Sequence, residues 1–338
     1  MVATLPDLLR LLVIPVFGWA AWRDIKTRRI SDRFWVPLIV LGSILLIWES
    51  AQFIIFGKSG GRLFFIRAGI SLIFIPALGY AFWWFGAFGM ADVKAMATLS
   101  ILLPTFPTYS LGDFTLPIVD TVLGVFPLTV LTNSVLLAMV APVGLATANL
   151  VRGRFKPIAM FLARPVTIDS LPHRSGKLFE TLDGTTHDGL DLDVLRMYLR
   201  WRGITIASLR AAPDEARDPS NIDTTNEPTD GRTDVENDLD WGTTETGSMT
   251  SDQTSSSIDF DDPWGIERFF DEIDRSTYGA DPDQLRAGLE LLAETDSNRV
   301  WVMPGVPFIV PFVPGLIVAF TYGDVLFGIL GWLGILPG

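Results

Sequence analysis

Gly86-Ala-Phe-Gly-Met-Ala-Asp-Val-Lys94 organises the rest of the chain, because it puts a carboxylate, Asp92, between two long apolar runs. An ionisable side chain where a membrane segment begins costs a few kcal/mol or more, so its presence indicates a function. Gly89 and Ala91 are small, which lets backbone or a substrate approach Asp92 closely. Gly86 and Gly89 are candidate hinges for the loop, and ordinary turn glycines are an equal interpretation.

A second carboxylate, Asp24, follows the first apolar run, in Arg23-Asp-Ile-Lys-Thr-Arg-Arg-Ile30. Two carboxylates a few ångströms apart cannot both ionise, so they share one proton, as in an aspartic protease. The ionised member takes a proton from a bound water, which attacks the peptide carbonyl that the protonated member polarises. Asp24 and Asp92 are therefore candidates for such a pair, contributed by two different helices.

Each aspartate also has a structural interpretation. Asp92 fits a helix cap, since free N–H groups and the helix dipole favour a carboxylate there. Asp24 fits a solvated counter-ion within a basic loop. Four further aspartates are expected to be helix caps, loop or interfacial residues: Asp32, Asp113, Asp120 and Asp324.

The composition is typical of a polytopic membrane protein. Hydrophobic residues make up 49% of the 338 residues, with 11 Trp and 23 Phe, yet the formal net charge is -12. Residues 180–300 carry 29 acidic and 10 basic side chains, and the remainder carries 9 acidic and 16 basic ones. The sequence thus predicts a mildly basic membrane body with an acidic insert. Such an insert suits a high-salt cytoplasm, and an acidic interaction tail has the same composition.

Six apolar runs approach the length of about 20 residues that a spanning helix needs. They cover residues 5–22, 34–56, 63–85, 91–103, 121–150 and 307–332. The most basic loop, from Arg23 to Arg33, is expected to lie inside the cell, because cytoplasmic loops carry excess Lys and Arg. Asp24, Asp92 and residues 151–300 then share the cytoplasmic face, and both termini lie outside.

These runs predict an all-α, multi-pass membrane protein with six transmembrane helices. A membrane domain covers residues 1–150, a cytoplasmic insert covers 151–300 and the last helix lies in 301–338. Within the insert, apolar spacing predicts helices near 190–201, 264–274 and 282–293. Residues 211–258 are rich in Asp, Thr, Ser and Gly, and we expect them to be disordered because they bury little apolar surface.

The composition also limits the chemistry. There is no cysteine, which excludes disulfides, Cys-based zinc sites and a thiol nucleophile. There are only two histidines, His173 and His187, and both lie in the polar region, which argues against a histidine metal cage. We therefore expect no metal, no cofactor and no nucleic-acid partner; the expected partners are a protein substrate and the lipid bilayer.

Three stretches give the chain a resemblance to the archaeal type IV prepilin peptidases, including the preflagellin peptidases, of the GxGD class of membrane aspartic proteases. Residues 24–32 resemble the first-aspartate loop of this family. Gly89-Met-Ala-Asp-Val-Lys94 resembles the second-aspartate motif. Residues 302–311 resemble the proline-rich segment ahead of the last span. Ala91 departs from the motif, because it replaces its second glycine.

The resemblance implies that Asp24 and Asp92 are the catalytic pair. It also implies cleavage, on the cytoplasmic side, of class III signal peptides, which are short basic leaders ahead of a hydrophobic segment in prepilins and prearchaellins. No cysteine-rich N-terminal region is present, so methyltransferase activity is not implied. Lys26 and Lys94 each follow an aspartate by two residues. They are candidates for tuning its pKa or holding the loop, although a lysine snorkelling to the inner face is the simpler interpretation.

Two other classes of function fit part of the pattern. A small transporter or proton-coupled carrier also uses intramembrane carboxylates. Against it, the acids cluster at one face and no inverted repeat is visible. A membrane anchor that presents the acidic insert to a partner would leave Asp92 unexplained.

Overall fold

The structure is a computed structural model that describes residues 3–27, 30–85, 88–222, 224–227, 231, 262–273, 281–305 and 308–335. Over these ranges it is mostly helical. The α-helices are α1 Leu5–Arg10, α2 Val13–Thr27, α3 Val36–Ile54, α4 Gly61–Trp84, α5 Met90–Leu102, α6 Phe126–Ala138, α7 Val140–Val151, α8 Ala159–Leu162, α9 Leu192–Arg202, α10 Ile206–Ala211, α11 Pro213–Arg217, α12 Ile266–Glu272, α13 Pro282–Glu294, α14 Ile309–Thr321 and α15 Val325–Trp332. The strands are β1 Tyr109–Leu111, β2 Phe114–Leu116, β3 Arg164–Thr167, β4 Lys177–Leu178, β5 Glu180–Thr181, β6 Gly184–Thr185 and β7 Arg299–Met303.

The chain divides into two compact units. The membrane unit combines Met1–Pro142 with Val306–Gly338, and the insert unit is Val143–Gly305. The predicted boundaries at 150 and 300 lie a few residues inside the insert unit. Strand β3 near its start pairs antiparallel with β7 near its end, so that Arg164 lies opposite Val302. The two ends of the insert unit are therefore adjacent, as expected for a domain inserted into another.

Four helical segments are long and apolar enough to cross a membrane within the described ranges. They are Leu5–Lys26, Asp32–Ile54, Gly61–Trp84 and Phe126–Val151. The first breaks briefly between α1 and α2, and the last breaks at Met139 between α6 and α7. These four segments correspond to the first, second, third and fifth predicted spans.

The prediction of six spans is not confirmed, because the other two runs form shorter helices. Helix α5 has 13 residues and is followed by Pro104, which cannot continue a helix. The last run divides at Gly323, whose φ of +101° takes the chain out of helical geometry, and Asp324 then caps α15. Its first part, α14, also has 13 residues. At 1.5 Å per residue each of these helices is about 20 Å long.

Close backbone contact fixes α5 in the membrane unit. Gly42 on α3 lies against the backbone of Leu102, and an added Cβ at Gly42 would come within 2.8 Å of the Leu102 Cα. Only glycine allows helices to approach so closely. Leu99 on α5 and Leu316 on α14 are fully buried in the same apolar core, together with Phe17 of α2. Helices α2, α5 and α14 therefore share one core.

The prediction of an all-α protein is incomplete, because the insert unit contains a small antiparallel sheet. Its strand order is β3-β7-β4, with β7 in the centre. Val300 and Val302 of β7 point into a core that also holds Trp201, Trp264 and Phe269. Strand β7 has only five residues and its partners are far away in sequence, so local periodicity did not reveal it. The three predicted helices correspond to α9, to α12 with its preceding turn, and to α13.

The structure differs from the expected disorder at the start of the 211–258 stretch. Residues 213–217 form α11 and residues 219–221 form a 3-10 turn. Ile222 is buried in the insert core, and Arg217 is hydrogen-bonded to Glu290 of α13. This part therefore does bury apolar surface. Residues 232–258 lie outside the described residues.

Candidate active site

Asp24 ends the buried stripe of α2. Val13, Phe17, Ala20 and Ala21 form an apolar face that is almost entirely buried, and Asp24 continues the helical spacing of this face at 6% exposure. Its neighbours in sequence point outward. The carboxylate is therefore turned into the membrane unit, which argues against the solvated counter-ion expected as the structural alternative.

Asp92 lies in the first turn of α5 and is 8% exposed. Its Oδ2 accepts a hydrogen bond of 3.0 Å from the backbone N–H of Gly89, the N-cap residue, so the expected capping role is present. The backbone of Ile309, the first residue of α14, also lies close enough to interact with this carboxylate. Backbone donors and the helix dipole favour a negative charge at this position.

The structure brings Asp24 and Asp92 into the same region of the membrane unit. Asp24 lies close enough for Coulomb repulsion between the two carboxylates. The pair joins the C-terminal end of α2 to the N-terminal end of α5, and Ile309 adds the N-terminal end of α14. Three chain segments that are far apart in sequence thus meet around one carboxylate.

A row of aromatic rings lines the same three segments. Phe88, next to the Asp92 cap, stacks on Phe308 at 4.4 Å between ring centroids. Phe308 packs on Phe312, which stacks on Phe17 of α2 at 5.7 Å. Such pairs add about 0.5–1.5 kcal/mol each beyond the area they bury. The row therefore holds the helix ends that carry the carboxylates in one apolar frame.

The small residues before Asp92 do not need unusual backbone geometry. Gly89 has φ −78° and ψ 158°, which any residue adopts, and an added Cβ would meet only Asp92 Oδ2, at 3.5 Å. Ala91 is the second residue of α5, where alanine is favoured over glycine by about 1 kcal/mol. The departure from the two-glycine motif therefore costs nothing in local structure. The one effect of glycine at position 89 is that it leaves open space beside the Asp92 carboxylate.

The two lysines have partners other than the carboxylate pair. Lys94 Nζ forms an ion pair of 2.5 Å with Asp32 Oδ1, which joins α5 to the turn before α3. Lys26 Nζ lies over the Trp22 ring, 4.5 Å from its centroid. This supports a role in holding the loop for Lys94 and an interfacial cation–π contact for Lys26. Gly86, the other candidate hinge, lies outside the described residues.

Sequence reasoning overlooked a buried ionic cluster at the other end of α5. Arg10 bonds Asp7 at 3.0 Å, Glu49 at 2.6 and 2.8 Å and the carbonyl of Leu102 at 2.9 Å. The hydroxyl of Tyr109 donates to the backbone carbonyl of Asp7. The signal in the sequence is the i, i+3 pair of opposite charges, Asp7 and Arg10, inside the first apolar run.

The remaining aspartates follow the expectation of caps and loops. Asp324 caps α15 through the N–H of Phe327 and accepts a hydrogen bond from Thr129. Asp113 and Asp120 are exposed in the loop region after α5. Over the described part of the chain, no group of three or more Asp, Glu or His side chains is placed to hold a metal ion.

Comparison with known protein families agrees with this geometry. The model described as type IV leader peptidase family matches residues 11–143, a range that contains both Asp24 and Asp92. The model described as archaeal Peptidase A24 C-terminus type II matches residues 243–325. Together the two cover well over half of the chain, so the chain belongs to the type IV leader peptidase family. The resemblance to archaeal prepilin and preflagellin peptidases is thereby confirmed. A search of curated proteins finds no match.

Proposed function

We propose that this peptidase is a membrane aspartic endopeptidase in which Asp24 and Asp92 are the catalytic pair. The observation that carries the proposal is the burial of two carboxylates within Coulomb range of each other, at helix ends inside the segment that the peptidase family matches. A structural cap needs one carboxylate. A second one, turned inward at the end of an apolar stripe, adds Coulomb repulsion, and a proton shared by the two carboxylates relieves this repulsion.

In the proposed reaction the pair holds a water molecule between its oxygens. The ionised carboxylate accepts a proton from this water, and the resulting nucleophile attacks the scissile carbonyl carbon. The protonated carboxyl hydrogen-bonds the carbonyl oxygen and stabilises the tetrahedral intermediate. It then returns its proton toward the leaving amine, which restores the singly protonated pair. The two groups titrate as one coupled unit, so the roles of base and acid belong to the pair.

The proposed substrates are prepilins and prearchaellins, in which a basic leader precedes a hydrophobic segment. The exposed apolar faces of α2, α3 and α4 provide a lipid-facing surface along which such a segment can lie. The loop of residues 23–33 carries five basic side chains and is proposed to face the cytoplasm. A site at the ends of α2 and α5 suits a cut at the border of the hydrophobic segment.

The decisive test is co-expression of a prepilin with Asp24→Asn or Asp92→Asn, followed by immunoblotting for leader removal. Asparagine keeps an oxygen that accepts the Gly89 N–H bond, so Asp92→Asn preserves the cap while it removes the acid. We expect each variant to lose at least about 100-fold in cleavage rate. The matched control is Asp113→Asn, which changes an exposed loop carboxylate of the same unit. Normal processing by either Asp24→Asn or Asp92→Asn at wild-type abundance would end the proposal.

A carrier that uses the same carboxylates is the competing function. Carriers bind their ions near the middle of the bilayer. Asp24 lies two residues before the end of the candidate span Leu5–Lys26, and Asp92 lies within Coulomb range of it, so the pair lies at the end of a span and not at its middle. This placement supports a peptidase over a carrier. In proteoliposomes, proton uptake that depends on Asp92 in the absence of any prepilin would favour the carrier.

A further inference from the structure

Five apolar side chains are exposed just where the fourth candidate span ends. Helix α7 ends at Val151, and we name residues 150–161, which begin with its last two residues, the post-span segment. Its exposed apolar side chains are Leu150, Val151, Phe155, Ile158 and Phe161. Phe155 is 72% exposed and Val151 is 83% exposed. Such a concentration of exposed apolar surface in a dozen residues marks a contact surface.

Hydrogen bonds and apolar contacts on its buried side hold the post-span segment in place. The side-chain amide of Asn149, itself 2% exposed, donates hydrogen bonds of 2.9 Å to the carbonyls of Met160 and Ala163 at the end of α8. Ala159 and Ala163 are fully buried against Phe179 of the insert unit. One face of α8 is therefore packed in a small apolar cluster of the insert unit, apart from its main core, and α8 presents its exposed side chains from this ordered position.

Ile158, one of these exposed residues, has a strained backbone conformation. Ile158 has φ 65° and ψ −55°, a conformation that a β-branched residue rarely adopts. The N–H of Ala159 bonds the carbonyl of Pro157 at 2.7 Å, which closes the strained three-residue γ-turn. The Ile158 side chain is 58% exposed, so its burial within the chain does little to offset the free-energy cost of the strain. Strain of this kind points to a contact outside the chain.

The charge around the post-span segment is opposite to that of the protein as a whole. Residues 150–164 contain four basic and no acidic side chains, whereas the chain carries a net charge of -12. Lys156 is paired with Glu180 at 2.5 Å. Arg152 lies within the post-span segment in sequence and Arg164 three residues after it, and both are exposed. Apolar side chains interleaved with basic ones are typical of segments that lie in the plane of an anionic membrane surface.

We propose that the post-span segment is a membrane-surface anchor. In this proposal Phe155, Ile158 and Phe161 insert into the interfacial layer of the bilayer, and Arg152 and Arg164 contact anionic headgroups. The segment continues directly from a candidate span, so it begins at headgroup depth. This continuity favours a lipid surface over a protein partner. The anchor would couple the insert unit to the bilayer by apolar contact in addition to the chain connection.

The absence of cysteine makes this proposal directly testable, because one introduced cysteine is a unique labelling site. The variants Phe155→Cys and Phe161→Cys, each carrying a nitroxide label, are reconstituted as full chains in nanodiscs of phosphatidylcholine and phosphatidylglycerol. Collision of the label with oxygen, which concentrates in lipid, is compared with collision with a water-soluble nickel chelate. Two labelled positions serve as references. Val143→Cys, exposed on the candidate spanning helix, represents a site in lipid, and Leu182→Cys, exposed on the turn between β5 and β6, represents a site in water.

We expect the oxygen-to-nickel ratio at 155 and 161 to exceed that at 182 several-fold and to approach the ratio at 143. Ratios equal to the one at 182 would overturn the proposal. So would protection from nickel that appears only in discs holding two copies, because it would assign the surface to self-association. The mobility of the label at 182 depends on the β5–β6 turn, so it reports whether the insert is folded in that reference preparation.

A second variant tests the headgroup contact. Arg152→Gln combined with Arg164→Gln leaves Lys156 and its ion pair intact. We expect this pair of substitutions to lower the oxygen-to-nickel ratio at 155 in anionic discs and to leave it nearly unchanged in discs of phosphatidylcholine alone. An equal effect in both lipids, or no effect in anionic discs, would overturn the assignment of the arginines to headgroups.

Discussion

The substitution Arg10→Met removes the cation that ties the C-terminal end of α5 to α1 and α3. The guanidinium is almost fully buried and bonds Asp7, Glu49 and the Leu102 carbonyl at 2.6 to 3.0 Å. Methionine has a similar length but supplies no donor. The two carboxylates therefore stay in place without their cation. The last carbonyl of α5 loses both a hydrogen bond and the positive charge that complements the helix dipole.

Removing one side of a buried ion pair costs about 3–5 kcal/mol, because it leaves an uncompensated charge in a medium of low dielectric constant. The Glu49 side chain keeps 20% of its exposure, so water relieves part of this cost. We therefore expect Arg10→Met to lower the free energy of unfolding by about 3 kcal/mol, at the lower end of that range. Adding Glu49→Leu removes one of the stranded charges, and the double variant should recover about 1–2 kcal/mol.

The assay is unfolding in mixed micelles by titration with sodium dodecyl sulfate, followed by far-ultraviolet circular dichroism. Arg67→Met is the matched control. Arg67 Nε donates to a neutral carbonyl, that of Leu123, at 3.0 Å, and its removal leaves no carboxylate without a cation, so the control should lose only about 1 kcal/mol. If Arg10→Met lost no more than Arg67→Met, or if the effects of Arg10→Met and Glu49→Leu were additive, the ionic cluster would not be what holds α5.

Three further predictions concern the site and the insert. Lys94→Gln should change stability by less than about 1 kcal/mol because its ion pair with Asp32 is largely exposed. It should nevertheless lower kcat on a prepilin peptide a few-fold. The double variant Lys94→Asp with Asp32→Lys exchanges the two charges and should restore activity. A double variant as slow as Lys94→Gln would contradict this prediction. Gly89→Ala should keep unfolding within about 0.5 kcal/mol of wild type, since the Cβ fits, yet slow cleavage by covering Asp92 Oδ2; unchanged cleavage would show that the open space is not used. Burial alone would raise the pKa of Glu290, but hydrogen bonds from Arg217 and Trp264 outweigh it and lower that pKa. The resulting stability is present above the ordinary glutamate pKa and is lost as pH falls below about 4.5. Glu290→Gln should flatten this acid loss in a tryptophan-fluorescence titration, and an unaltered pH profile would refute the assignment.

The positions of the carboxylates could be expected from the sequence because each follows a local rule. Asp24 continues the spacing of the buried face of α2, and Asp92 stands three residues after the glycine that starts α5. Local rules do not state where a helix stops when several apolar residues remain. The break at Gly323 and Asp324 was therefore missed, although a glycine followed by a capping aspartate is a readable signal.

The fold of the insert was hidden for a different reason. Its central strand β7 pairs with β3, more than a hundred residues earlier, and such pairing leaves no trace in local periodicity. The acidic composition of the stretch also masked apolar residues such as Ile222 and Trp264, which are spread thinly along the chain and meet only in the folded core. Composition predicts disorder reliably only where no distant partner supplies the missing apolar surface.

Helix α5 is short, and this length limits how far apart the Asp24–Asp92 pair and the Arg10 ionic cluster can lie. Asp92 lies in the first turn of α5 and the Arg10 cluster holds the carbonyl of Leu102, so about 20 Å of helix separates the carboxylate end from the ionic cluster. A bilayer core is about 30 Å thick. If α5 lies along the membrane normal, at least one of the two clusters must sit inside that thickness. In the proposed orientation the carboxylate pair lies at the cytoplasmic border, next to the peptide bond to be cut. The Arg10 cluster then lies inside the core, where its opposite charges compensate one another.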